Sequence, residues 1–325
     1  MILLLGASGY IGRAFGRELR ARGESFIPLS RAAFDYTCFE FLLDYVRRIQ
    51  PDFLINAAGC TGKPNVDTCE AVRLKAIQAN TLLPRTIARV CTLTKTPWGH
   101  ISCGCIYTGA KRVADHGMRI VRDLNDPEVR ERLETHPEEF LGFSELDEPN
   151  ASFRQPPCSF LAGTKALAEE ALRGNARMYI WRAGLPFDHR DAPANLLSKL
   201  QANPKVYDHV PPVSHLGDFA RACLDLWKRD AAFGIYNVVN PDPVGTRRMV
   251  DMIQRVLKPD CRFDFRADDD EFYAEAAQVL RGGCLLDSSK LRRSGVHLRP
   301  TVAALQDAIE NWQPALGVMA AGSLG

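Results

Sequence analysis

The chain has 325 residues, 46% of them apolar, enough to bury one large core or two adjoining ones and to exclude disorder as its main state. Lys plus Arg total 41 against 39 Asp plus Glu, a formal net charge of +2 with both signs interspersed, so no broad basic face for nucleic acid is expected. The apolar run Met1–Leu5 meets Gly6-Ala7-Ser8-Gly9 at once, with no basic lead and no room for a spanning helix, which predicts a cytoplasmic protein that opens on a buried strand. The ten cysteines are scattered without a CxxC pair and are expected to be mostly reduced, small core-filling side chains.

Short apolar runs alternate with amphipathic stretches through the first half, the pattern of a doubly wound α/β parallel sheet. Met1–Leu5 reads as a strand and Arg13–Arg22 as the helix after it, ended by Gly23. Phe26–Leu29 is a second strand, Phe39–Ile49 a helix, and Phe53–Asn56 a strand opening into Asn56-Ala57-Ala58-Gly59. Helical periodicity runs from Val72 to Leu93 with a break expected near Asn80 and Pro84, and Gly99–Tyr107 reads as one strand. Residues 111–157 are rich in charge and turn formers, a long insertion expected to be a lid or partner surface, with a short helix Pro127–Leu133 capped by Asp126. Thr164–Leu172 is a helix stopped near Gly174, and Met178–Trp181 a strand. From Pro186 onward the elements shorten. The expected organisation is a dinucleotide-binding domain of residues 1–185 and 216–240, a smaller mixed α/β substrate domain of residues 186–215 and 241–313, and a tail at 314–325.

Gly6-Ala7-Ser8-Gly9-Tyr10-Ile11-Gly12 lies directly between the first strand and the first helix. In that context one glycine permits the turn, the next lets backbone approach a pyrophosphate, and the last allows close helix packing, with helix N–H groups facing the anion. A Rossmann-type sheet and a bound dinucleotide are therefore expected. The second strand ends in Leu29-Ser30-Arg31. No acid stands there to favour NAD, and a guanidinium suits a ribose 2′-phosphate, so NADP is favoured over NAD. A solvated Arg31 is the competing reading.

The glycine turn, Asn56-Ala57-Ala58-Gly59, the Ser102–Tyr107 run and Lys165 at the start of a helix together resemble the extended short-chain dehydrogenase/reductase superfamily. Residues 61–70 and Leu286-Asp287-Ser288-Ser289-Lys290-Leu291 are similar to dTDP-4-dehydrorhamnose reductases, and more so to the bifunctional 3,5-epimerase/4-reductases of rhamnose synthesis. The resemblance implies cofactor contacts at Gly6, Ser8, Gly9, Tyr10, Ile11, Gly12, Ser30, Arg31, Asn56, Ala57, Ala58, Gly59, Lys165, Gly184 and Leu185. It implies substrate contacts at Lys63, Asn65 and Arg182, a nucleotide-activated 4-keto-6-deoxyhexose as substrate, and a homodimer through the helices at Asn80–Leu93 and Thr164–Leu172.

For hydride transfer the resemblance implies a Tyr four residues before Lys165, where Leu161 stands, and a Ser or Thr at Cys103. For epimerisation it implies Cys105 and Lys199 as acid and base, on opposite faces of the sugar ring; period two places Cys105 on the strand face of Cys103 and Tyr107. A reactive Cys105 competes with a buried strand thiol, and a reactive Lys199 with a surface lysine. Three functions follow: an epimerase that has lost most of its redox step, an NADPH-dependent reductase with Lys165, Cys103, water or the substrate supplying the proton, or a catalytically silent NADP-binding subunit. His100, His209 and His215 lack metal-ligand spacing, and no metal is expected.

Overall fold

The computed structural model describes residues 1–62, 66–114, 117–203, 205–266 and 283–315. Its centre is a six-stranded, all-parallel sheet. The chain enters on β1 (Ile2–Leu5), whose four residues are all buried, as a strand covered on both faces requires. Helix α1 (Tyr10–Ala21), β2 (Phe26–Leu29), α2 (Phe39–Ile49) and β3 (Phe53–Asn56) follow. Short helices α3 (Thr68–Ala71) and α4 (Arg73–Ile77) run into a π-helical turn at Gln78–Leu82 and then α5 (Leu83–Thr94). The expected break near Asn80 and Pro84 is this turn.

Strand β4 (Trp98–Cys103) is shorter than its sequence pattern predicted. Gly104–Ile106 forms a 3-10 turn instead, so the period-two alternation that would align Cys103, Cys105 and Tyr107 does not apply. The segment after it is built, not irregular. Strands β5 (Ala110–Ala114), β6 (Gly117–Val121) and β7 (Phe140–Leu141) form an antiparallel sheet, with α6 (Pro127–Thr135) between the last two. Asp126 caps α6 by accepting from the Glu128 and Val129 N–H groups at 3.0 and 3.1 Å. Ala110, Leu124 and Phe140 pack with Val210 and Leu285, which anchors the insertion to the rest of the chain.

Helix α7 (Phe160–Ala171), capped by Ser159, leads to β8 (Met178–Ala183) and β9 (Leu185–Phe187). Then come α8 (Leu196–Ala202), β10 (Lys205–Tyr207), β11 (Val213–His215), α9 (Leu216–Lys228), β12 (Gly234–Val238), α10 (Thr246–Val256) and β13 (Asp264–Arg266). Helices at Ser289–Arg293 and Thr301–Glu310 end the described chain.

The central sheet runs β12-β8-β4-β3-β1-β2. One face packs Phe15 and Leu19 of α1 and Phe219 and Leu224 of α9 on Leu4, Phe53 and Trp181. The other packs Leu42 and Val46 of α2 and Ile87 and Val90 of α5 on Leu3, Leu54 and Ile180. Each such fully buried side chain contributes about 1.5–3 kcal/mol over its exposed state, so the two layers hold the strand ends in fixed register. β1 has β2 on one side and β3 on the other, so the direction of winding reverses at its carboxyl end, the place where open α/β sheets bind ligands. A further apolar cluster joins Phe187, Leu197, Val206, Met249, Ile253 and Leu305. Among the described residues no helix is long and apolar enough to cross a membrane.

Candidate active site

The glycine turn sits at that winding reversal. Gly6 has φ +74°, and a Cβ there would lie 2.5 Å from the Ala58 nitrogen; a Cβ on Gly12 would lie 2.1 Å from the Gly6 oxygen. Neither position tolerates a side chain, because α1 and the β3 exit both press on the turn. The Gly9 N–H donates to the Gly6 carbonyl at 3.0 Å, and Gly9 caps α1 with no side-chain acceptor and no acid in the first turn. The first N–H groups of α1 are thus available to an anion, and the glycines leave space for one. These residues fit a dinucleotide pyrophosphate.

Asn56 shapes the adjoining strand exit. Its Oδ1 accepts from the Ala58 N–H at 3.1 Å and its Nδ2 lies 3.0 Å from the Nδ1 of buried His100. The Ala57 N–H donates to the Leu5 carbonyl at 3.0 Å, which locks Ala57–Gly59 beside the glycine turn. At the end of β2, Ser30 closes a turn by accepting from the Ala33 N–H at 3.3 Å, and Arg31 is exposed. Gly184 donates to Ser214 Oγ at 2.9 Å and Leu185 to the Pro212 carbonyl at 2.7 Å, so both are fixed where β8 passes into β9. Tyr10 turns its hydroxyl inward, where it is buried without a hydrogen-bond partner among the described residues and its ionisation is pushed up by burial and by nearby Asp188.

Lys165 projects from α7 under Gly59 and donates to the Ile101 carbonyl at 2.9 Å. Only 5% of it is exposed, and burial lowers its pKa from 10.5 to about 8 despite the opposing Glu169, Cys60 and Cys69. Asn80, from the π-helical turn, accepts from the Cys60 N–H and donates to the Cys60 carbonyl, each at 2.8 Å, and reaches Thr164 Oγ1 at 3.2 Å. It ties the β3 exit to α7 and was not singled out from sequence. Its marker was the expected interruption of helical periodicity at that residue.

The family model described as RmlD substrate binding domain matches residues 1–313. The chain belongs to this family. Among its relatives is a trifunctional UDP-glucose 4,6-dehydratase/UDP-4-keto-6-deoxy-D-glucose 3,5-epimerase/UDP-4-keto-L-rhamnose-reductase of Arabidopsis thaliana, 26% identical over 310 residues. That match takes in 94% of this chain but 41% of the relative, so the chain spans less than half its length. A bifunctional dTDP-4-dehydrorhamnose 3,5-epimerase/reductase of the same plant is 26% identical over 291 residues, covering 89% of this chain and 86% of that protein. In fold, the chain is similar to the UDP-rhamnose synthase of Acanthamoeba polyphaga mimivirus, with a TM-score of 0.79, 16% identity and 95% and 98% of the two chains covered. A Bacillus anthracis dTDP-4-dehydrorhamnose reductase in complex with NADP gives a TM-score of 0.71, 17% identity and coverage of 96% and 97%.

Three expectations for this RmlD-family chain are corrected by its geometry. Arg182 is not an open substrate contact. It is 2% exposed, and its guanidinium makes a fork with Glu169 of α7, at 2.7 Å from Nη2 to Oε2 and 3.1 Å from Nε to both oxygens. Ser102 faces the same interior and donates to Glu169 Oε1 at 2.6 Å, away from the Cys103 side. Glu169 was missed in the sequence, although it lies one helical turn after Lys165 and so on the same helix face. Second, Cys103 is not an open counterpart of a strand hydroxyl: its Sγ accepts from the Cys105 N–H at 3.2 Å, across Gly104. Third, Cys105 is not on a strand with Tyr107. Tyr107 is 1% exposed, its hydroxyl donates to the Asp147 carbonyl at 2.6 Å, and burial pushes its ionisation up.

Leu161, one helical turn before Lys165, is 7% exposed and packs with Cys69 and Ala76; Cys60 and Cys105 rest on the same cluster. Lys199 is exposed on α8. Lys63 and Asn65 lie outside the described residues. Asp188, His189 and His215 bring ligand-type atoms within 4.8 Å of one another, a grouping the histidine spacing did not suggest. Asp188 there is already committed to Arg17 and to both the backbone and the ring nitrogen of His189.

Proposed function

We propose that the protein is an NADP(H)-binding epimerase of a nucleotide-activated 4-keto-6-deoxy sugar, with the reduction of its bifunctional relatives largely lost. The observation that carries this reading is Leu161. An aliphatic side chain stands four residues before Lys165, where the resemblance implies a phenol to protonate the carbonyl oxygen, and Tyr107, beyond the end of β4, is buried and bound to Asp147. Loss of that proton donor costs about two to four orders of magnitude in hydride transfer.

Proton exchange at carbon needs different groups. A hydrogen beside a ketone is acidic enough for a positioned base, and a thiol and an amine on opposite ring faces can remove one proton and return another, inverting the carbon. Cys105 and Lys199 are assigned those roles. Cys105 is half-buried beside Leu161, at the carboxyl end of β4, and Lys199 is presented by α8. Lys165 and Asn80 hold the β3 exit, with the lysine ammonium positioned under Gly59. When bound, the nicotinamide cofactor would supply a hydride donor or acceptor and, in its oxidised form, a positive charge. The exposed Arg31 favours a 2′-phosphate and hence NADP. A homodimer through α5 and α7 belongs to the same proposal, supported by exposed Leu82, Leu93 and Leu167 on that side of the fold.

A second reading, retained reduction, has one supporting observation: a Lys165 pKa of about 8 puts its ammonium within range of proton donation near neutral pH. Incubation of the reduced protein with a UDP- or dTDP-4-keto-6-deoxyhexose in deuterated water separates the two. The proposal expects deuterium at C3 or C5 and loss of that exchange in Cys105→Ala and Lys199→Ala. Rapid NADPH oxidation without carbon exchange would replace it with the second reading.

A further inference from the structure

We propose that the amino-terminal end of the central sheet carries a second binding site, for a phosphate-bearing nucleoside, at the other end of β3 from the glycine turn. It does not depend on the catalytic reading above.

The site is a cavity of about 570 Å³, a size that takes small molecules. It opens where three connections reach the sheet: α2 to β3, α5 to β4, and the entry to β8. The two helix–strand connections are built alike. α2 gives way to Gln50 and α5 to Lys95, both left-handed with φ +47° and +56°, and a proline precedes each strand, Pro51 and Pro97. Glycine is the residue such turns favour. Keeping side chains at both positions works against the backbone, and both line the cavity. Residues held in that conformation cluster at binding sites.

The wall suits an anion. Arg47 from α2, Lys95 after α5 and Arg177 before β8 converge on it, and among the described residues none of the three is paired with a carboxylate. The one acid among the described wall residues, Asp52, is held by the Met1 amine. The carboxyl end of a helix ordinarily repels an anion through its free carbonyls. Those of α5 are taken. Val90 accepts from Thr94 Oγ1 at 2.9 Å, Cys91 from the Thr96 N–H at 3.0 Å, and the following Lys95 from Arg177 Nη1 at 2.9 Å. That last bond also fixes the Arg177 guanidinium and leaves its other N–H groups for a ligand.

The rest of the wall suits a base. Half-buried Trp227 lines it beside Pro51 and Pro97, its ring stacked on buried Phe53 with centroids 4.5 Å apart and planes at 19°. A fixed aromatic ring beside guanidinium groups is the pairing a nucleoside phosphate uses, stacking for the base and charge-assisted hydrogen bonds for the phosphate. Gln50 adds a carboxamide for the edge of the base.

The test titrates the full chain with UMP, AMP and inorganic phosphate at saturating NADPH, by calorimetry and tryptophan fluorescence. The proposal expects saturable nucleotide binding, with quenching that is lost in Trp227→Phe. Affinity should fall about tenfold or more in each of Arg47→Ala and Arg177→Ala. Lys95→Gly removes a cation while easing the backbone, so it should weaken binding and raise the unfolding midpoint. Inorganic phosphate should bind more weakly and without quenching. Binding that NADPH abolishes, or that both arginine substitutions leave unchanged, overturns the site, as does no binding at millimolar nucleotide. Phosphate binding as tight as that of either nucleotide overturns the nucleoside assignment.

Discussion

Replacing Lys165 with methionine should stabilise the folded protein at neutral pH. The ammonium is 5% exposed, its described hydrogen bond goes to the Ile101 carbonyl at 2.9 Å, and its folded pKa is about 8 against 10.5 in the open chain. Each pKa unit is worth about 1.4 kcal/mol, so carrying the charge into the fold costs about 3 kcal/mol below pH 8. The lost hydrogen bond returns about 1 kcal/mol of that, leaving a net gain of about 2 kcal/mol. The sign reverses the usual salt-bridge expectation. Between about pH 8 and 10.5 the unfolded chain binds more protons, so the wild type gains stability as pH rises and the advantage of Lys165→Met shrinks, becoming a deficit of about 1 kcal/mol from the lost hydrogen bond above about pH 10.5. Urea unfolding of both proteins at several pH values reads this directly. A variant less stable at every pH, or a difference independent of pH, would refute the account of Lys165 as a buried cation held at a cost.

Glu169→Gln leaves the Arg182 guanidinium buried without its counter-charge and should cost about 3–5 kcal/mol in chemical denaturation. Gly12→Ala puts a Cβ 2.1 Å from the Gly6 carbonyl and should abolish NADPH binding, followed by the change in nicotinamide fluorescence. Burial works against the Asp218 carboxylate, yet hydrogen bonds from His215 and Arg299 hold its pKa down at about 2. Its stabilisation is therefore complete above the ordinary 3.8 and is lost as pH falls through about 2, so Asp218→Asn should flatten the acid limb of the stability curve. Leu161→Tyr puts a phenol one turn before Lys165 and should raise NADPH oxidation with the keto sugar by about a hundredfold or more.

Local chemistry was readable wherever it is decided locally. β2, α2 and β3 fall on the residues their patterns marked, because apolar runs bounded by turn formers leave few alternatives, and the glycine turn is set by steric needs of the backbone itself. Errors arose where a distant segment decides. The strand predicted to reach Tyr107 stops at Cys103, since Gly104 folds against Leu286, far along the chain. Period-two reasoning cannot see that partner. Arg182 looked like a cleft residue because its counter-charge, Glu169, comes from another element packed beneath the sheet. The charged insertion hid a small core, as its apolar residues are spaced too widely to show periodicity and are completed by Val210 and Leu285.

The most direct measurement of whether carbon-acid chemistry has outlasted hydride delivery uses one incubation: dithiothreitol-reduced protein, keto sugar and NADPH carrying deuterium at the nicotinamide C4, in ordinary water, with the sugar followed by mass and NMR. The account predicts solvent-dependent inversion at C3 or C5 with almost no deuterium delivered to the sugar C4. Stoichiometric transfer of that deuterium at a rate matching or exceeding inversion would contradict it.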